Sequence, residues 1–290
     1  QRTLMKYIAE TFDYHINWKS RGHHPGQHKS DQRGMGIEFA GHATLIDYPD
    51  PRRIDIRQTM RDPMEQIHVR IFNQRSATPV FIANDLSASM NFGLTQTKFK
   101  QASDISEIIK NSVIGKSDAI GFIGFNDRID SSWIAPLSYR PQRTEALIER
   151  LDHYHARNAS HEGIKGLYQF IPKDQTLIFI ISDFHMPIYD IEICLGHLRK
   201  HRIIPIILWD KNEYENLPRF GIVSVNDPES GEESTLFLRK KTLAKIKTRF
   251  ADRKEELEKV FLKYDSPPFF VEDKFDTTAM TQYFNEYFHA

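Results

Sequence analysis

The sequence is short of cysteine, of net charge and of long apolar runs, and each shortage excludes a class of protein. Its 290 residues include one cysteine, Cys194, so no disulfide can form within the chain and a reducing compartment is expected. Acidic and basic side chains balance at 39 each, which leaves no net field to attract nucleic acid or an anionic membrane surface. No apolar run approaches the roughly 20 residues that cross a bilayer, so we predict no membrane span. Together these absences indicate a cytoplasmic α/β protein.

Residues 1–75 are polar, rich in histidine and arginine, and poor in periodic apolar positions. We expect an N-terminal extension, irregular or β in structure, that packs on a main domain of residues 76–290. Within it, residues 4–14 predict a short helix, the glycines of 22–41 predict turns or a hairpin, and the alternation RIDIR at 53–57 predicts a short strand.

In the main domain, apolar strand-like segments alternate with amphipathic helix-like segments. This alternation predicts a doubly wound, mostly parallel sheet with helices on both faces. The segment 128–137 follows the strand 119–125 after a short turn, so we expect those two to pair antiparallel. Residues 217–238 break the alternation and predict a surface hairpin. The other predicted strands are 79–83, 176–181, 202–209 and 268–271, and the predicted helices are 95–113, 144–154, 188–199, 242–264 and a closing helix ending near 288.

A cluster of oxygen-bearing side chains follows the first strand of the main domain. Asp85, Ser87 and Ser89 alternate along the chain, so in an extended loop their side chains converge on one point. Asp183 ends the strand at 176–181, and in a doubly wound sheet the functional crevice lies beyond the carboxyl ends of the strands where their order reverses. Two converging carboxylates repel each other, and a bound Mg²⁺ removes that conflict. The pattern therefore predicts a magnesium site.

NDLSASM followed by a distant IISDF resembles the metal-ion-dependent adhesion site of von Willebrand factor A domains. The resemblance implies a Rossmann-like doubly wound sheet with one antiparallel edge strand, which matches the expectation for 128–137. It implies that Asp85, Ser87, Ser89 and Asp183 hold Mg²⁺, or Mn²⁺ or Ca²⁺ in its place, and that a partner's Asp or Glu completes the coordination. Thr144, which opens a predicted helix, best matches the threonine that this family takes from a second loop, and Ser138 is the alternative.

The flanking motifs GQHKSDQRGMGIEF, DYPDPRRIDIR, SDF and LPRFGIVSVNDPESG occur in an order that resembles the domain-of-unknown-function (DUF) family fifty-eight. Members are typically encoded beside MoxR-type AAA+ ATPases, so the resemblance implies such an ATPase as partner. Members usually carry a tryptophan where this chain has Ile56, and many carry transmembrane anchors. Arg52, Arg53 and Arg57 present either a basic docking strip for an acidic partner or a solvated face with local ion pairs.

These observations leave three functional hypotheses. The first is a metal-dependent protein-interaction module that acts as an adaptor for the ATPase in complex assembly or client maturation. The second is a Mg²⁺-dependent phosphoryl-transfer or hydrolytic enzyme, for which no residue qualifies as base or nucleophile. The third is a vestigial structural domain without metal. Gly115-Lys116-Ser117 looks like the end of a phosphate-binding loop, but Lys110 stands where that motif requires glycine. We expect a protein that is not an enzyme.

Overall fold

A computed structural model describes residues 10–16, 37–47, 49–74, 78–93, 96–156, 160–214, 221–226, 233–238 and 240–288 of the chain. The chain forms two compact units. The small unit is Ser20–Ala77, and the main unit combines Gln1–Lys19 with Thr78–Ala290. Within the described ranges, no helix has both the length and the apolar character that crossing a bilayer requires.

The small unit contains a two-stranded antiparallel sheet. Strand β1 (Ile37–Thr44) pairs with β2 (His68–Gln74). Between them in sequence lie a 3-10 helix at Pro51–Arg53 and the short helix α1 (Ile56–Thr59). Most of the hairpin expected at residues 22–41 lies outside the described residues, and only its last part coincides with β1.

The strand predicted at residues 53–57 is wrong. Ile54 makes an isolated bridge to Val69, and Asp55 caps α1 by accepting hydrogen bonds from two backbone N–H groups of its first turn. Aspartate favours this position because its carboxylate satisfies amides that have no partner inside the helix. The alternation of Ile54 and Ile56 therefore reflects a cap between two short helical turns.

A six-stranded sheet forms the centre of the main unit. Its strands are β3 (Val80–Asp85), β4 (Ile120–Phe125), β5 (Ile134–Ser138), β6 (Leu177–Ser182), β7 (Arg202–Leu208) and β10 (Phe269–Val271). Two further strands, β8 (Gly221–Asn226) and β9 (Glu233–Leu238), form a separate hairpin. The order across the sheet is β10-β7-β6-β3-β4-β5, and only β5 at one edge is antiparallel. This confirms the mostly parallel sheet with its antiparallel edge strand. β8 and β9 pair antiparallel, as the predicted hairpin requires.

Helices cover both faces of the sheet. They are α2 (Lys98–Gly115), α3 (Gln142–Asp152), α4 (Ile188–His197), α5 (Lys240–Lys263) and α6 (Thr277–Phe288). Apolar residues of α2, α3 and α6 share one core cluster with Val80 and Ile82 of β3, whereas those of α4 and α5 share the other with Phe81 and Ala83. A strand buried on both faces has no polar side, which is why β3 appears in the sequence as an unbroken apolar run.

One detail of the sheet differs from expectation, and one proline has an uncommon place in it. The strand predicted at 128–137 is shorter, because a 3-10 helix at Ser131–Trp133, capped by Asp130, precedes β5 and replaces the tight turn. Pro205 lies inside β7, which is one strand away from the edge. Its other neighbour, β10, begins only beside Ile206, so the proline falls where β7 is paired through β6 alone.

The described N-terminal segment, residues 10–16, is not helical and belongs to the core of the main unit. The helix predicted at 4–14 is therefore wrong over 10–14, and its earlier part lies outside the described residues. The Phe12 ring stacks on Phe284 of α6 at 5.9 Å between centroids, and its backbone N–H donates to Ser112 Oγ of α2 at 2.9 Å. The segment thus joins two helices of one face.

Truncating Phe12 tests this packing. We expect Phe12→Ala to lower the free energy of unfolding by about 3–5 kcal/mol, because it removes a buried ring and leaves a cavity. Denaturant unfolding measures the change, and Glu10→Ala, at an exposed position in the same segment, is the matched control. Equal stabilities for the two variants would show that the segment is not docked.

Candidate functional site

Asp85 and Asp183 lie where the strand order of the sheet reverses. From β3 the chain continues to β4 and β5 on one side, then crosses back to β6 and β7 on the other side. β3 and β6 are therefore neighbours at the switch point, and their carboxyl ends share one edge of the sheet. Asp85 is the last residue of β3, and Asp183 directly follows β6.

Asp85 and the two serines after it form a connected group of oxygens. Asp85 Oδ1 accepts the backbone N–H of Ser87 at 2.8 Å, and Asp85 Oδ2 accepts the hydroxyl of Ser182 at 2.6 Å. The hydroxyl oxygens of Ser87 and Ser89 lie 3.1 Å apart. The chain turns here into a 3-10 helix, Ala88–Asn91, which brings these side chains together at the edge.

Asp183 is held by a buried lysine that the sequence interpretation did not include. Lys98, the first residue of α2, donates from Nζ to Asp183 Oδ2 at 3.0 Å and lies 2.6 Å from Glu213 Oε1. The side chains of Lys98 and Asp183 are each 1% exposed. Glu213 comes from the 3-10 helix Lys211–Glu213 that follows β7. One ammonium group therefore joins three elements of the sheet edge.

The loop after β6 is also held from the opposite face. Trp209 Nε1 donates to the backbone carbonyl of Asp183 at 2.9 Å. Arg253 of α5 donates to the carbonyl of Phe184 at 2.7 Å and to that of Met186. Phe184 has a positive φ of 52°, a conformation that costs a non-glycine residue free energy unless its surroundings hold it.

The two aspartates carry opposite pKa shifts. Burial, and then the charge of Asp183, raise the pKa of Asp85 to about 6 from 3.8. Burial also raises the pKa of Asp183, but the charge of Lys98 and hydrogen bonds from Lys98 and Ser89 outweigh it, so its pKa lies below the ordinary value. Burial lowers the pKa of Lys98, yet the carboxylates of Asp183 and Glu213 raise it by more, so this ammonium stays protonated.

The hydroxyls of Ser87 and Ser89 are spaced as two neighbouring ligands of a small divalent cation would be. Adjacent ligands in an octahedron with Mg²⁺–O distances of about 2.05 Å lie about 2.9 Å apart. The 3.1 Å between the hydroxyls of Ser87 and Ser89 is close to that spacing. No group of three or more His, Cys, Asp or Glu side chains in the described ranges is arranged to hold a metal ion, so a cation here depends on the serines.

Thr144 and Ser138, the two candidates for the second-loop ligand, lie away from this edge. Glu145, next to Thr144, contacts Lys110 of α2, which is 12 residues and about 18 Å along the helix from Lys98. Ser138 pairs with Ile120 at the start of β4, which lies at the amino ends of the parallel strands, opposite the carboxyl ends that carry Asp85 and Asp183. Because α3 runs antiparallel to α2, its beginning points away from the site, and the assignment of Thr144 is corrected.

The segment after α3 does return to the site edge. Asn91 Nδ2 donates to the backbone carbonyl of Ala156 at 2.9 Å. The Gly163 N–H donates to the backbone carbonyl of Asn126, which lies just beyond the end of β4, at 2.8 Å. Ser160 lies between these two anchors in sequence, and its hydroxyl accepts a hydrogen bond from the backbone N–H of Glu162 at 3.5 Å.

The three arginines of the predicted docking strip lie in the small unit. Arg52 and Arg57 are exposed, and Arg53 Nε pairs with Asp50 at 3.1 Å. Arg53 therefore matches the local ion pair that was the alternative to a docking strip, while the role of Arg52 and Arg57 stays a prediction.

Comparison with known proteins gives a family and a few distant relatives. The family model "Protein of unknown function DUF58" matches residues 49–258. An "Uncharacterized protein in moxR 3'region" from Paracoccus denitrificans is 24% identical over 98 residues, covering 34% of this chain and 93% of that protein. Two crystal structures match at 11% identity. BatB from Bacteroides thetaiotaomicron matches 74% of this chain and 100% of its own, with a TM-score of 0.41. An aerotolerance-related membrane protein from Bacteroides fragilis matches 73% of this chain and 99% of its own, with a TM-score of 0.44. These scores are too low to support an argument.

The fold places the chain among α/β proteins with a mostly parallel sheet and a polar site at its switch point. Because the family model covers well over half of the chain, the protein belongs to the DUF58 family. This agrees with the family expected from the ordered sequence motifs.

The raised pKa of Asp85 predicts a pH-dependent instability when divalent cations are removed. Folding favours the protonated carboxyl, so wild type should lose stability relative to Asp85→Asn as pH rises from 3.8 through about 6. Melting temperatures in a chelator, measured across this range, test the difference. Asp127→Asn, at an exposed position beyond β4, is the control. A difference independent of pH would contradict the shift.

Proposed function

We propose that this protein is an interaction module that docks its partner through a divalent cation at the carboxyl edge of β3 and β6. The proposal is supported by the contacts that link Asp85 to Ser87, Ser87 to Ser89 and Ser89 to Asp183, and by the spacing of the two serine hydroxyls. The edge then corresponds to the metal-ion-dependent adhesion site of von Willebrand factor A domains. Mg²⁺ is the first choice, with Mn²⁺ or Ca²⁺ as substitutes.

Each residue of the edge has a distinct role in this proposal. Asp85, Ser87 and Ser89 hold the cation directly, and Asp183 contributes through Ser89 or through water. The cation supplies an open coordination position for an Asp or Glu carboxylate of the partner. Lys98 compensates the negative charge of Asp183, so that Asp85 and Asp183 do not both lie buried as uncompensated negative charges.

A binding role is better supported than a catalytic one. Lys98 is protonated and held by two carboxylates, so it has no free electron pair for nucleophilic or base chemistry. The hydroxyl of Ser182 donates to Asp85 and accepts from the N–H of Phe184, which fixes its orientation. Turnover of a generic phosphate ester that Asp85→Ala abolishes would instead favour the Mg²⁺-dependent enzyme.

We propose a MoxR-type AAA+ ATPase as the partner. The support is the family membership and the name of the Paracoccus denitrificans relative, which places that protein's gene in a moxR 3' region. In this proposal the protein is an adaptor in complex assembly or client maturation, and the exposed Arg52 and Arg57 add a basic contact for acidic residues of the ATPase.

Cation binding should stabilise the native chain. A cation that binds only the folded state adds about 2.7 kcal/mol when present at a hundred times its Kd. We expect a rise in melting temperature with Mg²⁺ for wild type and none for the double variant Ser87→Ala/Ser89→Ala. Ser131→Ala, at an exposed serine of the 3-10 helix before β5, should respond like wild type. A flat response in wild type would favour the vestigial domain.

Partner binding should depend on the same serines. We expect the MoxR-type ATPase of the same genome to be retained by immobilised wild type and by Ser131→Ala, and to be lost with Ser87→Ala/Ser89→Ala. All three measurements use the same Mg²⁺ concentration, because the ATPase itself needs the ion for nucleotide. Equal retention by all three proteins would exclude the edge as the docking point.

A further inference from the structure

Lys98 has an unusual position for a lysine. Its side chain is 1% exposed, and its ammonium group lies 3.0 Å from Asp183 Oδ2 and 2.6 Å from Glu213 Oε1. A buried ammonium is stable only when carboxylates surround it, and the chain supplies both from separate elements. The lysine therefore occupies carboxylate oxygens at the edge where the proposed cation would bind.

We propose that Lys98 is the residue that limits the cation affinity of this edge, because its ammonium group occupies an oxygen of Asp183 that would otherwise be available to the cation. The inference rests on the proposed function, since it concerns the same site. With Lys98 in place, Asp85 is the one uncompensated carboxylate beside the two serine hydroxyls. Affinity for divalent cations in oxygen sites rises with the number of charged ligands, so the resting site is weak.

A weak resting site has a consequence for docking. The partner's carboxylate adds the charge that Lys98 withholds, so cation and partner bind together more tightly than either binds alone. Linkage makes this coupling reciprocal, and removing Lys98 should therefore reduce the dependence of cation binding on the partner.

The chain offers a matched control on the same helix. Lys110 of α2 is also buried and also joins two carboxylates, Glu107 Oε1 at 2.7 Å and Glu145 Oε1 at 3.1 Å. It lies 12 residues from Lys98, at the far end of α2. Replacing either lysine by methionine removes one buried charge from between two carboxylates, but only one of the two changes affects the site edge.

The test compares Lys98→Met, Lys98→Arg and Lys110→Met in Mn²⁺ and Mg²⁺ titrations by calorimetry, with melting temperatures in a chelator and in each metal. We expect Lys98→Met to bind Mn²⁺ about tenfold more tightly than wild type, because the Asp183 carboxylate becomes available to the cation. Its melting temperature should fall in the chelator and recover with metal. Lys98→Arg keeps the charge and should bind like wild type, and Lys110→Met should not recover with metal.

The outcomes separate this inference from the proposed function. Cation affinity in Lys98→Met equal to that of wild type overturns the inference, even if wild type binds Mg²⁺ and its partner as proposed. Binding by Lys98→Met with none by wild type supports the inference and contradicts a metal-dependent role for the native chain. If Lys98→Met does not fold in either condition, the double variant Lys98→Met/Glu213→Gln takes its place. It removes the Glu213 charge that Lys98 otherwise compensates, so one unpaired carboxylate remains instead of two. It must show the same gain in Mn²⁺ affinity over wild type.

Discussion

The ion pair between Lys98 and Asp183 is the interaction on which the site depends. Removing a carboxylate from water is costly, and one without a partner at this depth would destabilise the fold by several kcal/mol or take up a proton. The ammonium of Lys98 stabilises the charged form of Asp183. Burial, and then the charge of Asp183, raise the pKa of Asp85. The first turn of α2 thus contributes to the electrostatics of both strand ends.

The topology of the sheet explains why residues so distant in sequence meet. β3 is the first strand of the six-stranded sheet in sequence, and it lies between β4 and β6. The crossover from α3 to β6 therefore brings Asp183 beside Asp85. Side chains of α2 and of the turn after β7 reach the same edge, because α2 follows β3, the turn follows β7, and both strands end there.

The sequence predicted the parts of the molecule that follow from periodicity. Central strands such as β3 are buried on both faces and are recognisable as apolar runs, and Asp85 and Asp183 follow from their strand ends. Lys98 could not be predicted, because a lysine at the start of an amphipathic helix ordinarily lies in solvent and its partner Glu213 is over a hundred residues away. Thr144 was misplaced because its motif fixed a helix start but not the direction of that helix.

The loop that carries Asp183 is fixed before any partner arrives. Trp209 and Arg253 both hold its carbonyl groups from the face opposite Lys98, and Phe184 keeps its positive φ under these contacts. Because the segment is already ordered, association does not have to order it. The conformational entropy that a flexible recognition loop loses on binding is here lost on folding. In the docking proposed above, affinity at this edge would therefore depend on charge and fit, with little contribution from loop rearrangement.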